Sequence, residues 1–142
     1  MMHREEDQSN LKAFNAKTAA VVSTQEGEGA EVDDEALNQL REDCGEEFEL
    51  VYRSFSQEMA NRLGKIHKAV ERGNIIALGY EAHALHSTAA TFALSRLGIA
   101  AAIIESACKS GDLPRARTQA RELPVLAKHA MAALERRLRI SH

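Results

Sequence analysis

Residues 75–92 read IIALGYEAHALHSTAATF, and the spacing of their apolar side chains decides the fold class. Ile75, Leu78, Ala82, Leu85, Ala89 and Phe92 follow one another in steps of three and four. That repeat puts side chains on one stripe of an α-helix, not on one face of a strand. Gly73-Asn74 precedes the stretch. The glycine supplies a left-handed stop for a preceding helix, and the asparagine oxygen caps the next one. An α-helix turns about 100° per residue, so His83 points roughly 130° from the centre of the stripe, on the solvent side. His86 lies roughly 70° from that centre, at the edge of the core. The helical neighbours of His83 are Gly79, Tyr80, His86, Ser87 and Ala90. Small Gly79, Ser87 and Ala90 leave the imidazole open to a large partner. Gly79 costs roughly 1 kcal/mol relative to alanine in a helix interior. Partner access and close helix packing are both explanations for it.

Working outward, the same spacing recurs on both sides. A first helix begins at Asp33 or Asp34, carries Leu37, Leu40 and Cys44 inward, and ends at Gly45. A second runs from about Glu46 to Arg72 with Phe48, Val51, Phe55, Met59, Leu63, Ile66 and Val70 on its stripe. A fourth covers about Ser95 to Ser110 with Leu97, Ala101, Ile104 and Cys108, and Gly111-Asp112 breaks the chain again. A fifth covers about Leu113 to Leu138, with Ala116, Ala120, Leu123, Ala127, Ala130, Leu134 and Leu138 inward. Pro124 falls inside it and should kink it or split it in two. No strand pattern competes. Short connections make neighbours antiparallel, so the expected fold is all-α: an antiparallel up-and-down four-helix bundle with an additional N-terminal helix, over residues 32–142. Residues 1–31, rich in Ser, Gln, Glu and Gly, read as a flexible tail or linker with at most a short helix over Leu11 to Val22.

Composition narrows the function. The 142 residues are 44% hydrophobic, without tryptophan and with two prolines, a profile that favours helices around one core. No apolar run is long enough to span a membrane, and charged Met1–Asn10 lacks the core of a signal peptide. Cys44 and Cys108 have no CxxC spacing and read as reduced core or boundary residues, so a cytoplasmic protein is expected. The net charge of −3 hides an asymmetry: residues 1–50 hold 14 acidic and 4 basic side chains, residues 51–142 hold 7 and 14. The basic part suits an acidic protein partner or nucleic acid, and charge alone does not decide which. Arg115, Arg117, Arg121, Arg136, Arg137 and Arg139 have no aromatic platform beside them, so they read as a solvated face and not as a nucleic-acid site. No glycine-rich phosphate loop is present, so the chain should not use ATP itself. A metal held by His83 and His86 would need further ligands such as Glu105 or His129, and no metal is expected.

The stretch Ala82-His83-Ala84-Leu85, the small polar run at Thr88 and Ala89, Leu97, and Ile104-Glu105 together resemble the histidine-containing phosphotransfer (HPt) domain family. The breaks at Arg72 to Asn74 and Ser110 to Asp112, and the opening VDDEALNQL, fit the same pattern, so the resemblance covers about residues 32–138. Three positions depart from it: His86 stands for the family's lysine, Ser87 for its glycine, and Ala93-Leu94 for its later Gly-Ala.

The resemblance implies that His83 is the phosphoacceptor of a two-component phosphorelay. It passes a phosphoryl group between aspartates of response-regulator receiver domains, under a hybrid histidine kinase. His86, Ser87, Glu105 and Lys109 would form the phosphoryl environment, with Lys109 supplying charge that the missing lysine does not. Gly79, Tyr80, Ser87 and Ala90 would meet the partner. This chain would hold no cofactor, the magnesium ion being the receiver's, and would act as a monomer without kinase activity of its own. Neutral imidazole suits the chemistry because its ordinary pKa of about 6.5 leaves a lone pair at neutral pH. The alternative is an HPt-like adaptor that binds a kinase or receiver without transfer, which the changes at His86 and Ser87 motivate.

Overall fold

The computed structural model describes residues 31–140. The helix expected over Leu11 to Val22 lies outside them, as does the tail up to residue 30. Among the described residues every element is helical: α1 (Asp34–Cys44), a 3-10 turn (Gly45–Glu47), α2 (Phe48–Arg72), α3 (Ile75–Thr91), α4 (Ser95–Lys109), α5 (Leu113–Arg121) and α6 (Leu123–Ile140). None of these helices is long and apolar enough to cross a membrane.

Local chemistry sets most boundaries. Asp33, Asn74 and Asp112 each accept a hydrogen bond from the backbone N–H three residues on, at 3.2, 3.1 and 3.1 Å. Each thereby satisfies one of the free N–H groups of a first helical turn. Gly73 closes α2 at φ 64°, a left-handed angle that glycine adopts without strain. The expected fifth helix is split in two around Glu122, and Pro124 falls in the first turn of α6, where its missing N–H is no loss. The expected start of the second helix at Glu46 falls instead inside the 3-10 turn, and α2 begins at Phe48.

Among the described residues, one left-handed turn is made without glycine. Between α3 and α4, Ala93 takes φ 60° and is buried. This left-handed angle costs a residue with a Cβ roughly 1 kcal/mol. Its carbonyl accepts the Asp33 N–H at 2.8 Å, and the Leu94 N–H returns to the Ala89 carbonyl at 2.9 Å. Tertiary contacts hold a conformation that the local sequence does not favour.

The core grows around α3, which lies between α2 and α4, while α4 also meets α5 and α6. Leu78, Ala82, Leu85, Ala89 and Phe92 are buried, and Ile75, at the helix end, is half-buried. Phe92 stacks on Phe55 with ring centroids 4.0 Å apart. Phe48 and Tyr52 flank that pair. Gly79 faces Cys108, His83 faces Glu105, and His86 faces Gly98. Residue numbers rise along α3 as they fall along α4, so these two helices run in opposite directions. At the other end, buried Glu31 pairs with Arg96 at 3.1 Å and ties the incoming chain to α4.

Candidate functional site

His83 sits in the middle of α3, on the side away from the buried stripe, with 65% of its side chain exposed. Its Nδ1 lies 2.8 Å from Oε2 of Glu105, which α4 brings across from 22 residues further along the chain. Neighbouring Ile104 is fully buried and anchors that turn of α4, so the carboxylate is held at 17% exposure. The same oxygen receives Lys109 Nζ at 3.5 Å from one turn on.

A carboxylate only accepts hydrogen bonds, so the ring nitrogen that faces it must carry the proton. In neutral imidazole the other nitrogen, Nε2, then holds the lone pair. Glu105 thus selects the tautomer of a neutral ring and leaves Nε2 unengaged by it, on an exposed side chain.

A shallow depression surrounds the ring, lined by Ile75, Ile76, Gly79, Tyr80, Cys108 and Lys109. Ile76 and Tyr80 are exposed large apolar residues on the face that carries His83. Gly79 has a packing reason: a Cβ there would stand 3.1 Å from the Cys108 Cβ, so α3 and α4 come close together where the side chain is missing. Burial, and after it the Glu105 carboxylate, push the Cys108 thiol above its ordinary range, which favours the protonated form.

Of the residues that the sequence singled out, the structure gathers Gly79, Tyr80, Glu105 and Lys109 around His83. Ser87 and Ala90 are exposed further along α3 and do not line the depression. His86 is half-buried, with its ring edge 3.7 Å from where a Cβ on Gly98 would stand, so it faces the seam between α3 and α4. Sequence reasoning missed Ile76; its position two turns before His83 was the available signal. Among the described residues no group of three or more His, Cys, Asp or Glu side chains is placed to hold a metal ion.

No curated protein and no solved structure matches the chain. The family model described as Hpt domain matches residues 50–137, from the first turn of α2 through most of α6. That match spans more than half of the sequence and includes both the exposed histidine and the carboxylate that orients it. The chain therefore belongs to the Hpt domain family.

Proposed function

We propose that this protein relays phosphoryl groups on His83 within a two-component phosphorelay, taking each from the aspartyl phosphate of one receiver domain and giving it to the aspartate of another. The observation that carries the reading is the contact between His83 Nδ1 and Glu105, which leaves Nε2 open. In the forward step the Nε2 lone pair attacks phosphorus, and the bond between phosphorus and the aspartate oxygen breaks with its electrons on the carboxylate. The ring keeps its Nδ1 proton and so becomes a phosphorylated imidazolium, whose charge Glu105 offsets. In the return step a carboxylate attacks, the N–P bond breaks, and the pair returns to Nε2. No proton changes place in either direction, so the chain's task is positioning and charge compensation. Magnesium belongs to the receiver.

Ile76, Gly79 and Tyr80 on one side of His83, and Ser87 and Ala90 on the other, are the proposed docking face for receiver domains, including that of a hybrid kinase. The scaffold is proposed as an up-and-down antiparallel arrangement of α2, α3, α4 and the α5–α6 pair, with α1 as the N-terminal addition. The protein would act as a monomer in the cytoplasm.

A docking adaptor without transfer is the second reading. It is favoured by His86, which turns to the helix seam at the position where the family has a lysine. One incubation with a radiolabelled phosphorylated receiver separates the two. Transfer gives this chain an acid-labile, base-stable label; an adaptor binds the receiver and stays unlabelled.

A further inference from the structure

An open trench runs between α2 and α3 near the end of the pair that carries Phe92. Its volume is 490 Å³, room for a few side chains and not for a folded domain. α2 contributes Leu50, Val51 and Phe55, and α3 contributes Thr88, Thr91 and Phe92. The Thr88 and Thr91 hydroxyls already donate to the Ala84 and Ser87 carbonyls, at 2.9 and 3.0 Å, so they ask no hydrogen bond of an occupant. Leu50 is 68% exposed on the α2 wall. Among the described residues Glu58 is the charged side chain of the lining. Exposed Glu47 precedes Leu50 and Val51 by three and four residues, which puts it on the same side. The trench is thus apolar along its length and acidic at both ends of its α2 wall.

The chain itself supplies a segment of matching chemistry. Between Asp7 and Glu26 the sequence has no acidic residue, and it carries Leu11, Phe14, Val21 and Val22 together with Lys12 and Lys17. The segment also enters at the right place. Glu31 pairs with Arg96, Val32 is buried, and the Asp33 N–H donates to the carbonyl of Ala93, the residue after Phe92. Residues 23–30 separate Val22 from that anchor and reach at most about 30 Å. Thr88, the lining residue of α3 furthest from the anchor, stands about 6 Å along the helix from Phe92. A tether this short gives the segment a millimolar effective concentration, which a second copy or a separate partner must exceed.

We infer that the trench between α2 and α3 is a docking site for residues 11–22 of the same chain. Phe14 and the two valines lie against Leu50 and Val51, with the lysines toward Glu47 and Glu58. Thr88 and Thr91 follow Ser87 and Ala90 in the sequence, so the docked segment stands at the edge of the proposed receiver face. The inference does not rest on His83 as acceptor.

The full chain with the photo-crosslinker benzoylphenylalanine in place of Leu50 tests this, the adduct being mapped by mass spectrometry. The expected adduct joins position 50 to residues 11–22 of the same chain, in a yield that dilution does not change. Phe14→Asp should lower that yield about fivefold, because it removes the largest apolar side chain of the segment. The same crosslinker in place of Val125, 57% exposed on α6, should not capture the segment. Adducts that join two chains and fall on dilution make the trench an interface between copies and overturn the inference. Capture of nothing, or only of an added receiver domain, overturns it as well. So do an unchanged yield in Phe14→Asp and equal capture of residues 11–22 from positions 50 and 125.

Discussion

Under the proposed relay, the nucleophile at His83 is defined by what Glu105 does to the other side of the ring. Truncating that carboxylate frees the tautomer and removes the charge that offsets the phosphorylated imidazolium. Glu105→Ala should slow phosphoryl acceptance about tenfold, in keeping with the loss of one charge-assisted hydrogen bond. Glu105→Gln, whose amide oxygen still accepts from Nδ1–H, should lose less. Initial rates of labelling from a phosphorylated receiver measure both, and a parental rate in Glu105→Ala would remove the orienting role. Cys108 gives a second readout of the same carboxylate. Burial and Glu105 raise its thiol, so less thiolate exists at any fixed pH below its pKa. Alkylation by iodoacetamide should be slow at pH 7.5 and rise steeply in more alkaline buffer. Glu105→Gln should accelerate it at pH 7.5 by removing the second cause; an unchanged rate would show that burial alone sets it. The exposure of His83 was legible from helical spacing, because the buried stripe fixes where every other side chain of α3 points. The Glu105 contact was not legible from spacing, since it joins two helices. Only the family pattern pointed to it. His86 fell among the neighbours of His83 by its number, yet its ring meets Gly98 on α4, a packing choice that one helix alone does not determine.

At the scale of helices and their breaks, the sequence was most readable where a turn had its own chemistry. Gly73-Asn74 and Gly111-Asp112 each combine a left-handed stop with a capping side chain, and both breaks fall where they were expected. The break at Ala93 is held by the Asp33 N–H and by burial between Phe92 and Leu94, long-range terms that no local reading contains. Ala93→Gly should therefore stabilise the fold by about 0.5–1 kcal/mol, since glycine takes φ 60° freely. Chemical denaturation would show it, and a loss of stability would mean that the buried methyl group outweighs the strain. Gly79 is the opposite case, a glycine whose value lies in what it leaves out. Gly79→Leu must push α3 away from Cys108 and should cost about 1–3 kcal/mol by the same measurement. An unchanged midpoint would show that the helices have room and that the glycine serves the partner instead.

Among the described residues, the acidic opening stretch meets the basic remainder through Glu31–Arg96, which is largely buried, and Asp34–Arg137. Glu31 is buried; one of its oxygens has no hydrogen-bond partner among the described residues, and the other meets Arg96. Arg96→Ala would leave a carboxylate in the interior without compensation, at a cost of roughly 2–3 kcal/mol. Glu31→Gln should cost less, because a neutral amide needs no counter-charge; equal losses would point to packing. The steps of three and four between apolar residues announced the helical class of the molecule, whereas the tie at Glu31 falls at the boundary where the sequence read as linker. The scaffold holds one imidazole outward with its Nδ1 against Glu105. The most direct test is transfer from a phosphorylated receiver to the parent and to His83→Gln, side by side, with circular dichroism on both. The account predicts an acid-labile label on the parent, none on the variant, and equal helix content, because an exposed side chain adds little to the fold. A label that persists on His83→Gln would contradict it.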